Sequence, residues 1–453
     1  MLQSETVRKY DTYKDSGIEW IGEIPKEWNT ITLKRVFSNR DGGAWGKEPQ
    51  NNENDRICIR IADFDYPQMT IKHDIDYTVR NYTTDVIEKL TLQKNDILIE
   101  KSGGGDQTPV GRTIIFNEDF NALYANFMDR LRVKQSISPK FIEYLLVSFY
   151  QNGITYQYIK QTTGIQNLDL TNLLAKESIV LPILNEQQKI ADYLDKKCGE
   201  IDRVIETEKL VIEKLKEYKQ SIITETVTKG LDKTVPLKDS NIEWIGKIPQ
   251  HWEIIKLKKT ISLIADIDHY MPDTTDTGYS YLMTGDLKDI ASKIDFENCK
   301  HISDSDYKDL SKKIHPVLDD VIFARYATIG TVCYVDIQKD FLVSYSCLTI
   351  RPNSEKLFGK FLYYYLISDT FKIEVSQYIN SNTQSNVGLD SLQKVYMVLP
   401  NKTEQQQIAE YLDKKCSEID KAIANKEQVI EKFTEYKKSL IYECVTGKRK
   451  VVK

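Results

Sequence analysis

Two long stretches of the chain carry apolar residues at alternating intervals of three and four. In the first, Leu194, Ile201, Leu215 and Ile222 keep a seven-residue spacing, with Glu208 interrupting the row. Val204, Val211 and Tyr218 form a second row three residues further on, and Ile205 and Ile212 widen the stripe. Charge occupies the remaining positions, so the pattern predicts an amphipathic, coiled-coil-like helix. The second stretch repeats it with Leu412, Ile419, Phe433 and Leu440, then Ala422, Val429 and Tyr436, then Ile423 and Ile430. Each helix should begin soon after a Leu-Pro, near Glu186 and Glu404, because proline stops the strand before it. A run of ~43 residues at 1.5 Å rise is ~65 Å long. Neither helix can bury its seam alone, and the simplest partner is the other copy.

The two stretches are also copies in sequence. Leu181 to Thr228 aligns with Leu399 to Thr446 without a gap at an offset of 218, with more than half of the positions identical. Cys198 and Cys416 fall at equivalent places and read as small packing residues at the seam. A second repeat, Tyr13 to Ser38 against Leu237 to Ser262, recurs at an offset of 224. It brings back Trp20, Gly22, Pro25 and Trp28 as Trp244, Gly246, Pro249 and Trp252. Proline and glycine among large apolar residues predict a turn-rich docking segment in which the tryptophans are packing anchors, with a short strand or helix starting at Leu33 and Leu257. A period of domain size indicates a tandem duplication.

Between these repeats the halves diverge, and only a skeleton is shared. Ile57 to Ile61 corresponds to Tyr279 to Thr284, and Asn95 to Ser102 corresponds to Asp319 to Tyr326. Each of the latter pair leads into a glycine-bearing loop and a β-branched run. Alternating runs (Arg130 to Val133; Cys347 to Ile350) and aromatic-rich helices (Phe141 to Tyr150; Phe358 to Ser368) follow. Short strands with one or two helices predict α+β domains. The fold class is therefore α+β: two divergent, mixed domains separated by two long antiparallel helices with pseudo-two-fold symmetry. The expected domains are 1–182, a central helical spacer 183–236, a second domain 237–400 and a C-terminal helical spacer 401–453. The short linker Lys229 to Ser240 favours antiparallel helices with a globular head at each end.

Composition changes this picture little. The 453 residues suit several domains, and their formal net charge of -5 neither supports nor excludes a nucleic-acid partner. No apolar run reaches the ~18–20 residues needed to span a bilayer. The polar N-terminal stretch lacks the apolar core of a signal peptide, and seven scattered cysteines without a CxxC pair fit a reducing compartment, so a cytoplasmic location is expected. The five histidines show no ligand spacing. Pro272-Asp273 with Asp286-Leu287-Lys288 loosely matches a PD…DxK nuclease pattern, but the aligned Asp63-Phe64-Asp65 has no lysine. No Asn-Pro-Pro-aromatic motif or Walker A loop occurs, so catalysis by this chain is not expected.

The twice-used IEWIGxIPxxW segment, the LPxxxEQQxIAxYLDKKCxEID helix start and the exit Val445-Thr446-Gly447-Lys448 resemble the specificity subunit of type I restriction–modification systems. The resemblance runs from about Tyr13 to the C-terminus. It implies that the divergent regions are target recognition domains, each reading half of a split double-stranded DNA target. The helices would fix the gap and dock two methyltransferase subunits, with restriction/translocase subunits completing the complex. S-adenosylmethionine, ATP and Mg are then expected on the partner subunits, with no cofactor or metal on this chain. Candidate DNA contacts lie in two loops. Lys101, Ser102, Gly104 and Arg112 belong to the first, and Arg325, Tyr326, Thr328 and Thr331 to the second, the alternative being plain surface hairpins. Arg130 and Arg132 share one strand face, which faces solvent by default. Gln166-Asn167 and Gln384-Ser385-Asn386 read better as domain–helix junction contacts than as base readers. The competing reading for the whole chain is a coiled-coil scaffold joining two protein-binding domains.

Overall fold

The computed structural model describes residues 8–162, 164–326, 328–380 and 386–451. The chain divides into two compact units, Met1–Lys209 with Glu427–Lys453, and Leu210–Lys426. Each unit holds one head and a portion of both long helices.

The first head is built on a four-stranded antiparallel sheet in the order Thr113–Phe116, Asp96–Glu100, Met128–Val133, Phe37–Gly42. A three-stranded sheet pairs Ala122–Tyr124 in parallel with Asp55–Ile59, which pairs in turn with Val79–Asn81. The helix Pro139–Gln151 starts on a Ser138 cap whose Oγ accepts from the Phe141 N–H, with proline in the first turn. Its Phe141, Leu145 and Phe149 join Ile97, Ile99 and Leu131 of the sheet in one apolar core.

The second head repeats this topology despite its different sequence. Its larger sheet runs Val332–Tyr334, Val321–Ala324, Cys347–Pro352, Ile261–Ala265. Its smaller sheet again has one parallel pair, Tyr279–Leu282 with Phe341–Val343. The helix Gly359–Ile367 takes the place of Pro139–Gln151. Leu33 and Leu257 each open a short 3-10 helix.

The long helices are Leu184–Lys229 and Lys402–Val445. In the first unit, Asp202 of one pairs with Lys437 of the other at 2.7 Å, while Tyr193 lies against Arg449, just past the end of the second helix. Residue numbers rise along one helix as they fall along the other, so the pair is antiparallel. In the second unit the matching bridge is Lys219–Asp420, also 2.7 Å. Here the end of one helix and the start of the other both flank Trp252, which touches Gly230 and donates its indole N–H to Glu404. Each bridge is the repeat image of the other.

The buried row on the first helix is Ile190, Ile201, Ile212 and Ile223, spaced by eleven. Eleven residues in three turns is 3.67 per turn, close to the 3.6 of a straight helix, whereas a seven-residue row drifts by about 20° per heptad. That drift corrects one expectation. Tyr218, the third member of its heptad row, is 57 % exposed instead of lying in the seam. Leu194, Ile201, Leu412, Ile419 and Leu440 are buried as expected, and Val204, Val211, Leu215, Ile222, Val429, Phe433 and Tyr436 are half-buried.

Candidate nucleic-acid interface

Each head is locked to the start of a long helix by the same set of contacts. The Gln187 side chain accepts from Ser138 N–H at 2.9 Å and donates to the Pro182 carbonyl at 2.8 Å. Gln405 accepts from Phe358 N–H at 2.8 Å and donates to Pro400 at 2.9 Å. Tyr144 and Tyr364 donate their hydroxyls to Asp195 and Asp413, each at 2.7 Å. Lys140 and Lys360 pair with the same two carboxylates. Burial and the neighbouring carboxylate both push these tyrosines well above the usual phenol range. The repeated EQQ…YLD motif thus encodes a joint. The docking segments close over helix ends: Tyr442 donates to the Trp20 carbonyl, and a Cβ on Gly447 would stand 2.3 Å from Pro25. Trp28 and Trp252 are buried anchors, as expected.

The cations singled out in sequence mostly serve the heads themselves. Arg130 is 1 % exposed, which corrects its expected solvent-facing position. It sits on a central strand, reaching Asp41 at 2.5 Å and the Thr91 carbonyl at 3.2 Å. Arg132 binds Asp96 through two nitrogens, both at 2.7 Å. Arg112 clamps Glu100 the same way and stacks over Tyr66. Arg325 is buried against Asp266 at 2.6 Å. Burial works against the Asp266 carboxylate, but Lys313 and Arg325 outweigh it and hold its pKa below the usual range. A charge spent on a buried carboxylate has little left to offer a phosphate.

Lys101, Ser102 and Gly104 stay at the surface of the first head. Lys101 is half-buried and shares Asp129 with Arg40, at 2.7 and 2.6 Å. Gly104 adopts φ 65° in a turn where the Thr108 carbonyl and the Val110 backbone nitrogen, each 2.9 Å away, would crowd any Cβ, so the loop needs glycine there. In the second head Thr328 is exposed, Tyr326 and Thr331 are half-buried, and Ala327 of that loop lies outside the described residues.

Of the polar segments expected at the helix junction, Gln166-Asn167 and Asn386 belong to these loops instead. Ile159–Thr162 and Ile165–Leu168 form a hairpin whose second strand pairs Asn167 with Ser102 and Gln166 with Gly103. The Ser102 hydroxyl donates to Asn167 at 2.6 Å. In the second head Asn386 bridges Tyr326, and Val387 N–H donates to the Arg325 carbonyl. Gln384 and Ser385 lie outside the described residues. The reason is topological: the hairpin turns back onto the loop before the chain enters the helix.

Asp286 of the loose nuclease pattern caps its own turn, accepting from Met283 N–H. Among the described residues no group of three His, Cys, Asp or Glu is placed to hold a metal ion. Nor, among those residues, is any helix long and apolar enough to cross a membrane.

Two heads of one topology with different loops, each fixed to a copy of the same helix, define a duplicated recognition protein. The profile of the type I restriction modification DNA specificity domain matches residues 25–217 and again 250–432. The chain therefore belongs to the specificity family of type I restriction–modification systems and carries two of its DNA specificity domains. It is 25 % identical over 394 residues to the type I restriction enzyme MjaVIII specificity subunit of Methanocaldococcus jannaschii, covering 85 % of this chain and 86 % of the relative. It is 21 % identical over 428 residues to the EcoBI specificity subunit of Escherichia coli, covering 91 % and 84 %. A solved structure concerned with complex assembly and conformational transition of the type I R-M system contains a chain of similar fold. The TM-score is 0.70 at 14 % identity, covering 93 % of this chain and 98 % of that one.

Proposed function

We propose that each head reads one half of a bipartite duplex DNA target, and that the paired helices set the gap between the halves and dock two methyltransferase subunits. The observation that carries this reading is the contrast between joint and loop. The Gln–Tyr–Asp–Lys joint is repeated in kind in both heads, whereas the loops that follow the matching strands differ in sequence, Lys101 to Arg112 against Arg325 to Thr331. Identical mounts with different faces suit a protein that binds one kind of partner twice and two different sequences once each. Fixed half-site spacing then follows from geometry, as in symmetric DNA-binding dimers. Lys101, Ser102 and Gly104 in the first head, and Tyr326, Thr328 and Thr331 in the second, are the loop residues proposed to contact DNA.

On this reading the chain does no chemistry itself. S-adenosylmethionine, ATP and Mg act on partner methyltransferase and restriction/translocase subunits, and the complex works in the cytoplasm. The test is a head exchange. Replacing residues 13–182 with the matching region of another family member should change one half of the methylated motif, read by long-read methylation mapping beside the cognate methyltransferase. An unchanged motif would contradict the assignment.

A further inference from the structure

If the buried arginines serve the fold, some other side chains must carry the sequence information. The chain crosses from the small sheet to the large one through a two-residue turn in each head. In the first head this is Asn126-Phe127, between Ala122–Tyr124 and Met128–Val133. In the second it is Tyr345-Ser346, between Phe341–Val343 and Cys347–Pro352.

The backbone of the turn is held in the same way both times. Ala125 N–H donates to Ile59 and Met128 N–H closes the turn onto Ala125. Ser344 N–H donates to Leu282 and Cys347 N–H closes onto Ser344. The turn is also tied to the cation loop. Lys101 N–H donates to the Phe127 carbonyl at 2.9 Å, and Arg325 N–H to the Ser346 carbonyl at 3.0 Å. In the first head the neighbouring strand end comes so close that a Cβ on Gly43 would lie 2.2 Å from the Ala125 oxygen.

On this fixed backbone the side chains differ. Asn126 and Phe127 are both exposed, and Phe127 is 52 % exposed beside Lys101 and Ser102. Tyr345 and Ser346 are half-buried, with the Tyr345 ring stacked 4.8 Å from that of His269. A large apolar side chain left in water on a rigid turn loses little entropy when a partner covers it. Asparagine pairs with the adenine edge, and phenylalanine contacts the thymine methyl or wedges between base steps. Tyrosine and serine hydroxyls offer a different hydrogen-bonding set at the same place.

We infer that this crossover turn is the base-reading element of each head, Asn126-Phe127 for one half-site and Tyr345-Ser346 for the other, with the adjoining loop on the phosphates. The inference rests on the DNA-reading function proposed above. It is tested in the complex with the cognate methyltransferase, S-adenosylmethionine and a plasmid library of randomised half-sites. Asn126→Ala and Phe127→Ser should each slow methylation of the native site about tenfold or more, the loss of one good base contact. Both should relax sequence preference within one half-site only. Ser346→Ala and Tyr345→Phe should relax the other half. Phe127→Ser installs the residue that the second head already carries on this backbone, and unchanged melting temperatures would show that both heads remain folded. Native rates and motif in all four variants would overturn the inference. So would a uniform loss on every sequence with a shallower salt dependence, the mark of a phosphate contact. A wild-type complex with no sequence preference would instead overturn the DNA-reading function itself.

Discussion

Glu143 is enclosed completely, on the helix that bears the first head's joint. One carboxyl oxygen accepts from the Thr113 hydroxyl at 3.2 Å and the other has no partner. Burial pushes its pKa up to about 8, against weaker opposing effects of Lys140 and Thr113. The folded pKa lies above the unfolded one, so its contribution to stability is complete below about pH 4.5 and is lost as pH rises towards 8, because the unfolded chain ionises while the folded carboxyl stays protonated. The loss amounts to a few kcal/mol, because each tenfold weakening of an acid is worth ~1.4 kcal/mol. Glu143→Gln keeps the Thr113 contact and cannot ionise. Its melting temperature should therefore fall less than that of the wild type between pH 5 and pH 8, and equal falls would count against this account. Arg130 is a buried charge that is paired, through its two terminal nitrogens, with Asp41 and the Thr91 carbonyl. Arg130→Met should cost about 3–5 kcal/mol in urea unfolding, because it leaves buried carboxylate charge uncompensated. Neither residue's role was legible in the sequence. Thr113 precedes Glu143 by 30 residues, and Asp41 precedes Arg130 by 89, so the packing of helix on sheet and the order of strands decide these partnerships.

The long helices were the most legible elements, because a repeat and an apolar stripe mark them without any tertiary information. What the stripe left open was its period. Seven- and eleven-residue rows share Ile201 and Ile212 here, and only the packing selects the isoleucine row Ile190, Ile201, Ile212 and Ile223. Ile212→Ala should therefore destabilise the protein by about 2–4 kcal/mol, the range for truncating a buried large aliphatic side chain. Tyr218→Ala should stay within about 0.5 kcal/mol, as expected for a surface site. Comparable losses in chemical denaturation would favour the heptad row instead. The heads were legible as α+β from their short strands, but their common sheet order was not, since parallel pairing of Ala122–Tyr124 with Asp55–Ile59 joins segments far apart in sequence. The joint lay in plain sight as a repeated motif. Its purpose required knowing that Ser138 and Phe358 each begin the helix that packs on the head. The crossover turns carried no motif at all, because a reader of differing bases has no reason to repeat its residues.

At the scale of the whole molecule, the eleven-residue row gives the proposed spacing function a numerical form. Duplicating one such repeat in both helices preserves the buried row and lengthens the pair by ~16 Å at 1.5 Å per residue. That is about half a turn of duplex, so a head moved this far would meet the wrong face of its half-site. Duplicating two repeats lengthens the pair by ~33 Å, close to the ~34 Å of one full duplex turn, and restores the facing. The insertions belong between Lys209 and Leu210 and between Lys426 and Glu427, where neither head nor joint is disturbed. With both made, the methylated motif should keep its half-site bases and widen its gap by about 10 base pairs. The one-repeat version should methylate poorly at every gap length near the native one. Methylation mapping of both in the same host separates the possibilities. Altered bases within either half-site would show that the helices take part in reading. An unchanged gap in the two-repeat protein would show that something other than the helices sets the distance.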